Sequence, residues 1–193
     1  RNYIKNNQEK ELITIPVLSK KKFDQKILEV KIDYNHFKVS KLLNKIKFSY
    51  SKSKYFDFYF PDLEIIFNKN HKTLVQLNSD LIHKICEFLK INTNIILASN
   101  LIDNTKLQKI DLLVEILKIR KCDEYISTLG AKDYLKSLKK FPDSEIVIKY
   151  FEYEEGNYIQ SGNRFISNLS ILDLLFNEGP NSVIVLKNFF KLL

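Results

Sequence analysis

The sequence predicts an α/β fold: a largely parallel sheet flanked by helices, with an N-terminal strand pair followed by a helical stretch. Two observations carry this prediction. The C-terminal half alternates short β-branched runs with helical segments, which is the order of a parallel sheet with crossover helices. Residues 37–89 instead carry successive apolar stripes at helical spacing. Because no linker rich in Gly, Ser or Pro interrupts the 193 residues, we expect a single domain over residues 1–193.

The N-terminal half divides into strands and then helices. Two β-rich runs predict the strand pair, at residues 11–17 and 27–32. Three amphipathic stretches predict helices, at residues 37–50, 55–67 and 74–89. Pro61 predicts an interruption in the second of these helices, since proline bends or ends a helix.

The C-terminal half alternates between the two kinds of element. Short apolar or alternating runs predict strands at residues 94–99, 124–127 and 145–153. Helical spacing predicts helices at residues 106–120, 134–139, 168–177 and 182–192. Residues 156–162 are predicted to form a loop.

Charge and composition limit the functional classes. Hydrophobic residues make up 45% of the chain and charged residues 28%, which excludes disordered and fibrous proteins. The net charge of +8 comes almost entirely from lysine, whereas nucleic-acid readout depends on the forked guanidinium of arginine. We therefore expect no nucleic-acid partner and favour an anionic small molecule, such as a phosphate or a nucleotide.

Cysteine, histidine and hydropathy patterns exclude further classes. Cys86 and Cys122 lack a CxxC partner and the three histidines share no metal-ligand spacing, so no metal site is expected. No apolar run approaches the roughly 20 residues of a membrane span. Free thiols without a visible secretory signal predict a cytoplasmic protein.

The first candidate site is the strand-to-helix junction at residues 127–134. Ligands of α/β sheets bind at the carboxyl ends of strands, where helix N-termini offer free N–H groups to anions. Gly130 would let the backbone approach a phosphate, and Lys132 would add a cation. The alternative is an ordinary turn with a solvated lysine. Ser99, at the end of the predicted strand 94–99, is a similar but weaker ligand edge.

The second candidate site lies at residues 158–173, where polar side chains precede an apolar helix. Arg164 is one of three arginines, which indicates a carboxylate or phosphate clamp. Asp173 is a candidate base, or an acceptor for a substrate amine or hydroxyl. The alternative is that Asn168, Ser170 and Asp173 are helix caps, since Ser170 and Asp173 have capping-box spacing.

Several of these segments resemble the WbqC-like protein family. Residues 165–180 resemble its C-terminal signature, residues 124–135 its second signature, and residues 158–160 its tyrosine-any-glutamine segment. Residues 1–4 resemble the end of its Arg-Asn-any-Ile motif. The family's opening His-Gln-Pro segment is absent and the chain contains no Met, so we expect that an N-terminal segment is missing.

The resemblance implies an enzyme of bacterial surface-polysaccharide (O-antigen) biosynthesis that transfers an amino acid such as glycine to a nucleotide-linked amino sugar. The Gly-Ala-Lys-Asp block is similar to nucleotide-binding ligases of the pantothenate-synthetase type, which suggests ATP as a cofactor without fixing it. Asp173 and Lys132 are the expected catalytic residues. Seven residues are expected to contact substrate: Ser99, Gly130, Tyr134, Gln160, Arg164, Asn168 and Ser170.

Two other functions remain open at this point. One is a sugar-modifying or glycosyl-transferring enzyme of the same pathway, and the other is a non-catalytic module that binds a nucleotide-linked sugar. A shared cleft lined by Gly130, Lys132, Gln160 and Asp173 would support either enzyme, whereas their scattering over separate surfaces would contradict both. The sequence does not indicate the oligomeric state.

Overall fold

A computed structural model describes residues 2–18, 25–102, 109–136 and 146–193 of the chain. These residues form a mixed α/β structure. The helices are α1 (Val39–Tyr50), α2 (Phe56–Asn68), α3 (Leu74–Phe88), α4 (Lys109–Ile119), α5 (Lys132–Lys136), α6 (Ile171–Glu178) and α7 (Ser182–Phe189). The strands are β1 (Asn2–Asn6), β2 (Glu9–Ile13), β3 (Glu124–Thr128), β4 (Val147–Tyr153) and β5 (Phe190–Leu192). The chain divides into two compact units: unit 1 is Arg1–Asn92 with Glu155–Leu186, and unit 2 is Thr93–Glu154 with Lys187–Leu193.

Unit 1 begins with an antiparallel hairpin. Strand β1 pairs with β2 across a two-residue turn, in which Asn7 has a left-handed φ of 55°. Asparagine tolerates this conformation better than most residues. The predicted pairing of residues 11–17 with 27–32 is wrong: Ile27–Glu29 form a 3-10 turn, and a single bridge joins Val17 to Ile32.

Helices α1, α2 and α3 follow the hairpin close to their predicted positions. Helix α3 begins with a capping box between Thr73 and Gln76. Helix α2 runs through Pro61 without a break, so the predicted interruption is wrong. Proline removes one helical hydrogen bond. Because Pro61 and Asp57, four residues earlier, are exposed, water can satisfy the carbonyl that is left without a partner.

The core of unit 1 joins these helices to α6. Phe176 of α6 is fully buried, and its ring centroid lies 5.1 Å from that of Tyr50 and 5.2 Å from that of Phe56. Ile46 and Leu63, from α1 and α2, are also fully buried there. Burying a large apolar side chain contributes roughly 1.5–3 kcal/mol, so this core fixes α6 against the three helices.

The sheet of unit 2 has the order β3-β4-β5. Strands β3 and β4 are parallel, as predicted, and α5 lies between them in the sequence. Strand β5 is antiparallel to β4, so a largely parallel sheet is not what the chain forms. The predicted last helix therefore ends at Phe189, because residues 190–192 pair with β4 instead.

The predicted strand at residues 94–99 is also absent. This run is exposed, and Ala98–Asn100 form a 3-10 turn. A short apolar run satisfies the pattern of a buried strand, but the pattern does not supply a neighbouring strand to pair with. The outer parts of three predicted elements, at residues 106–108, 137–139 and 145, lie outside the described residues.

Replacement by alanine should destabilise the protein at one glycine of the fold and have little effect at another. Gly179 has a φ of 58°, and a Cβ there would lie 2.5 Å from the Tyr55 ring, whereas a Cβ at Gly130 would meet nothing within 4 Å. We expect Gly179→Ala to lower the free energy of unfolding by about 2–4 kcal/mol, through backbone strain and overpacking. Gly130→Ala should change it by less than about 0.5 kcal/mol. Urea unfolding of both variants checks this, and equal effects would contradict it.

Candidate functional site

The candidate site of unit 1 is built on the first turn of α6. Ser170 is the N-cap: its Oγ accepts a hydrogen bond from the Leu172 N–H at 3.4 Å. The backbone N–H of Ser170 donates to the Tyr3 carbonyl at 2.7 Å, so it is not free for a capping box with Asp173. The capping interpretation is therefore right for Ser170. The Asp173 side chain does not cap the helix but accepts a hydrogen bond from Tyr158.

The carboxyl group of Asp173 is fully buried among polar side chains. Tyr158 donates its hydroxyl to Asp173 Oδ2 at 2.9 Å. Asp173 Oδ1 is buried without a hydrogen-bond partner among the described residues. An unsatisfied buried oxygen of this kind costs roughly 1–3 kcal/mol.

Burial sets the protonation behaviour of this carboxyl group. It raises the pKa of Asp173 above its ordinary value, while the hydroxyls of Tyr158 and Tyr50 and the charge of Lys5 act in the opposite direction. Burial, with the nearby charge of Asp173, also raises the pKa of Tyr50 and of Tyr158, so both phenols stay protonated at neutral pH. Asp173 thus combines a raised proton affinity with one neutral donor, the Tyr158 hydroxyl.

Lys5, on β1, brings a second buried charge into the site. Only 3% of this residue is exposed. Its Nζ donates to the Arg164 carbonyl at 2.5 Å and to Gln160 Oε1 at 3.3 Å. Burial lowers the pKa of the Lys5 ammonium, and the Asp173 carboxylate partly opposes this shift. Lys5 also donates its backbone N–H to the Tyr50 hydroxyl at 2.8 Å, which ties the hairpin to α1.

Gln160 holds the segment that lies over this cluster. Its Oε1 accepts from the Ile166 N–H at 2.9 Å, and its Nε2 donates to the Ile166 carbonyl at 2.8 Å. A side-chain amide that satisfies both backbone groups of one residue closes residues 160–166 into a fixed loop. Gln160 therefore lies in the cluster as a structural clamp next to Lys5.

Arg164 and Asn168 lie outside the buried cluster. Arg164 is exposed, and its carbonyl accepts from Lys5. Asn168 is exposed with a φ of 55°, and its N–H donates to both carboxylate oxygens of Glu155 at 2.7 and 3.0 Å. Asn168 therefore shapes the entry to α6.

The remaining predicted residues belong to unit 2. Gly130 lies in an exposed 3-10 turn after β3 with open space around it. Lys132 Nζ lies 5.6 Å from the centroid of the Tyr150 ring, and Ser99 lies in an exposed turn. Tyr134 lies in α5, but its side chain is outside the described part of the structure. Unit 1 thus brings together Gln160, Ser170 and Asp173, while these four residues lie in unit 2.

Sequence reasoning missed Lys5 and Tyr50, because neither carries a local signal. Lys5 is one lysine in a lysine-rich chain, and Tyr50 fits the apolar stripe of α1. Only the tertiary fold reveals that their polar groups meet near Asp173. Tyr158 was noticed as part of the Tyr-Ile-Gln segment, but its contact with Asp173 could not be read from the spacing.

No group of three or more His, Cys, Asp and Glu side chains that could hold a metal ion occurs in the described ranges. Within the same ranges, no helix is both long enough and apolar enough to cross a membrane.

Comparison with known proteins assigns the chain to a family. A family model described as WbqC-like protein family matches residues 1–185. The chain belongs to the WbqC-like family. The uncharacterized protein Rv1507c of Mycobacterium tuberculosis is 32% identical over 187 residues, which covers 94% of this chain and 78% of that protein. No solved structure matches the chain significantly.

The raised pKa of Asp173 makes a prediction about stability and pH in this WbqC-like protein. The folded state binds this proton more tightly than the unfolded state, whose ordinary pKa is 3.8. The contribution of Asp173 to stability is therefore greatest below the pKa of the unfolded state. It falls as the pH rises from that pKa through the higher pKa of the folded state.

Asp173→Asn removes this ionisation and nearly preserves the shape. We expect the variant to become more stable relative to wild type as the pH rises from 4 to 7. The free energy of unfolding of the variant minus that of wild type should therefore increase over this range. Urea unfolding of both proteins across this range measures the difference. A difference that stays constant, or moves the other way, would contradict the raised pKa.

Proposed function

We propose that this WbqC-like protein is an enzyme of bacterial surface-polysaccharide biosynthesis that transfers an acyl group, such as a glycyl group, to the amine of a nucleotide-linked sugar. The observation that supports it most is the buried Asp173 carboxyl group, which has one oxygen held by Tyr158 and the other without a partner among the described residues. The substrate class follows from what membership of the WbqC-like family implies, a role in surface-polysaccharide biosynthesis.

Asp173 suits the proton transfer that such a reaction requires. The sugar amine attacks the carbonyl carbon of an activated acyl group, a C–N bond forms, and the bond to the leaving group breaks. The nitrogen then loses a proton, which Asp173 Oδ1 accepts. Burial favours the protonated carboxyl, so this carboxylate is a stronger base than an exposed one. General base catalysis of this kind contributes about 10²–10⁴-fold to a rate.

Access to Asp173 requires a local opening. Because the residue is fully buried, the amine reaches it only when the segment that carries Tyr158 moves aside. Closure of that segment over the substrate would exclude water, which would otherwise hydrolyse the activated acyl group. In this proposal the Tyr158 hydroxyl holds Asp173 Oδ2, so that Oδ1 faces the amine.

ATP is the proposed source of activation. An acyl phosphate or an acyl adenylate, made from the amino acid and ATP, would supply the leaving group. Within unit 2, the open space around Gly130, two residues before Lys132, supports a phosphate contact of that unit. Ser99 and Tyr134 stay proposals as substrate contacts.

The decisive experiment tests transfer directly. Full-length protein is incubated with nucleotide-linked amino sugars, amino acids and ATP, and the sugars are weighed by mass spectrometry. We expect the mass of one sugar to increase by that of an aminoacyl group. Asp173→Asn should lower the rate by about 10²-fold or more, with a smaller effect on KM.

Asp57→Asn is the matched control, because Asp57 is an exposed carboxylate on α2 in the same unit. Its rate should equal that of wild type. An Asp173→Asn variant as fast as wild type would remove Asp173 from the chemistry. Binding of a sugar without any gain in mass would instead favour a non-catalytic binding module.

A further inference from the structure

A surface cavity of about 340 Å³ in unit 1 lies where the β1–β2 turn meets residues 164–167. We propose that this cavity binds the diphosphate and the sugar ring of the nucleotide-linked sugar, an inference that rests on the proposed function. The residues that carry the argument line its wall: Gln8, Glu9, Lys10, Arg164 and Ser167. Lys10 and Arg164 contact the phosphates, and the other three contact the sugar.

The two cations of the cavity are available to a ligand. Some lysines of unit 1 are held by carboxylates, such as Lys45 by Glu11 and Lys47 by Glu64. Neither Lys10 nor Arg164 has a carboxylate partner among the described residues, although Lys10 Nζ lies 5.8 Å from the centroid of the Tyr3 ring. Arginine binds phosphate through two parallel hydrogen bonds, and lysine adds a compact charge.

The walls of the cavity are fixed before a ligand binds. On one side, the tight hairpin turn at Asn7 positions Gln8. Gly162 has a φ of 87°, a conformation that favours glycine, and its backbone lies against the Gln8 side chain. On the other side, the Arg164 carbonyl is held by Lys5. A prearranged site loses less entropy when its ligand binds.

The chemistry of the remaining lining groups matches an amino sugar. Gln8 and Ser167 offer an amide and a hydroxyl to sugar hydroxyl groups. The Glu9 carboxylate would repel a simple anion, but it attracts an ammonium group and accepts hydrogen bonds from an amine. A ligand with a diphosphate at one end and an amine at the other satisfies both signs of charge.

The cavity also lies beside the buried cluster. Phe165, in its wall, makes a T-shaped contact with Tyr158 at 5.3 Å between ring centroids, and Tyr158 bonds Asp173. Lys5 reaches the same wall at Arg164. Opening of the Tyr158 segment would therefore expose Asp173 to an amine whose diphosphate occupies this cavity.

Calorimetry with the full-length protein tests the assignment. The probes are the uridine, thymidine, cytidine and guanosine diphosphates, free and linked to glucosamine. We expect at least one of these probes to bind. Arg164→Gln and Lys10→Gln should each weaken the affinity for that probe about tenfold, because each removes a charge-assisted hydrogen bond. Arg164→Lys should restore part of the affinity. Lys52→Gln, at an exposed lysine elsewhere in unit 1, is the charge-matched control and should bind like wild type.

Glu9→Gln distinguishes binding of the diphosphate from binding of the amino sugar. It should leave the affinity for the free nucleoside diphosphate unchanged or higher, and should weaken the glucosamine-linked form. Unchanged affinity in both Arg164→Gln and Lys10→Gln would overturn the cavity assignment. Acyl transfer by a protein that binds none of these diphosphates would also overturn it. Binding that depends on Arg164 and Lys10 without any transfer would leave the cavity assignment standing and contradict the proposed function instead.

Discussion

The burial of one carboxyl group organises unit 1. Asp173 lies in the first turn of α6, and its pKa is affected by groups from three other segments: Lys5 of the hairpin, Tyr50 of α1 and Tyr158 of the loop between β4 and α6. These segments are also joined to one another, since Lys5 donates its backbone N–H to Tyr50 and Ser170 donates to the Tyr3 carbonyl. A buried charge requires such neighbours, because a low-dielectric interior penalises an isolated ion.

This arrangement lowers the stability of unit 1. A carboxylate optimised for stability would have both oxygens satisfied, yet Asp173 Oδ1 is buried without a partner among the described residues. The cost is tolerable because the apolar core around Phe176 and Leu175 fixes α6 independently of the carboxyl group. The same rigidity holds Gln160 and the loop that separates Asp173 from the cavity at Arg164. Acyl transfer, as proposed, would use the proton affinity that this burial creates.

Local patterns predict the helices well and the strands unevenly: β3 and β4 lie where the sequence predicts them, whereas the runs at residues 27–32 and 94–99 form no strand. Helix α3 extends over Leu74–Phe88, within one residue of its prediction, because an apolar stripe and a capping residue are both local signals. The run at residues 94–99 failed because strand pairing depends on a neighbour far away in the sequence. The residues of the candidate site likewise differ in whether a local pattern reveals them. Asp173 and Gln160 were recognisable from their segment, whereas Lys5 joins them only through tertiary packing, and β1 contains no apolar alternation that would have predicted a strand.

Burial gives Asp173 a raised proton affinity, and the Tyr158 hydroxyl holds its carboxyl group. The most direct measurement is an NMR titration of the aspartate carboxyl carbons in wild type and in Tyr158→Phe. We expect the pKa of Asp173 to lie above the ordinary 3.8 in wild type and to be higher still in the variant, because the Tyr158 hydrogen bond lowers it. A wild-type pKa at or below 3.8 would show that burial does not raise it, and a pKa that does not rise in the variant would show that Tyr158 does not hold the carboxylate.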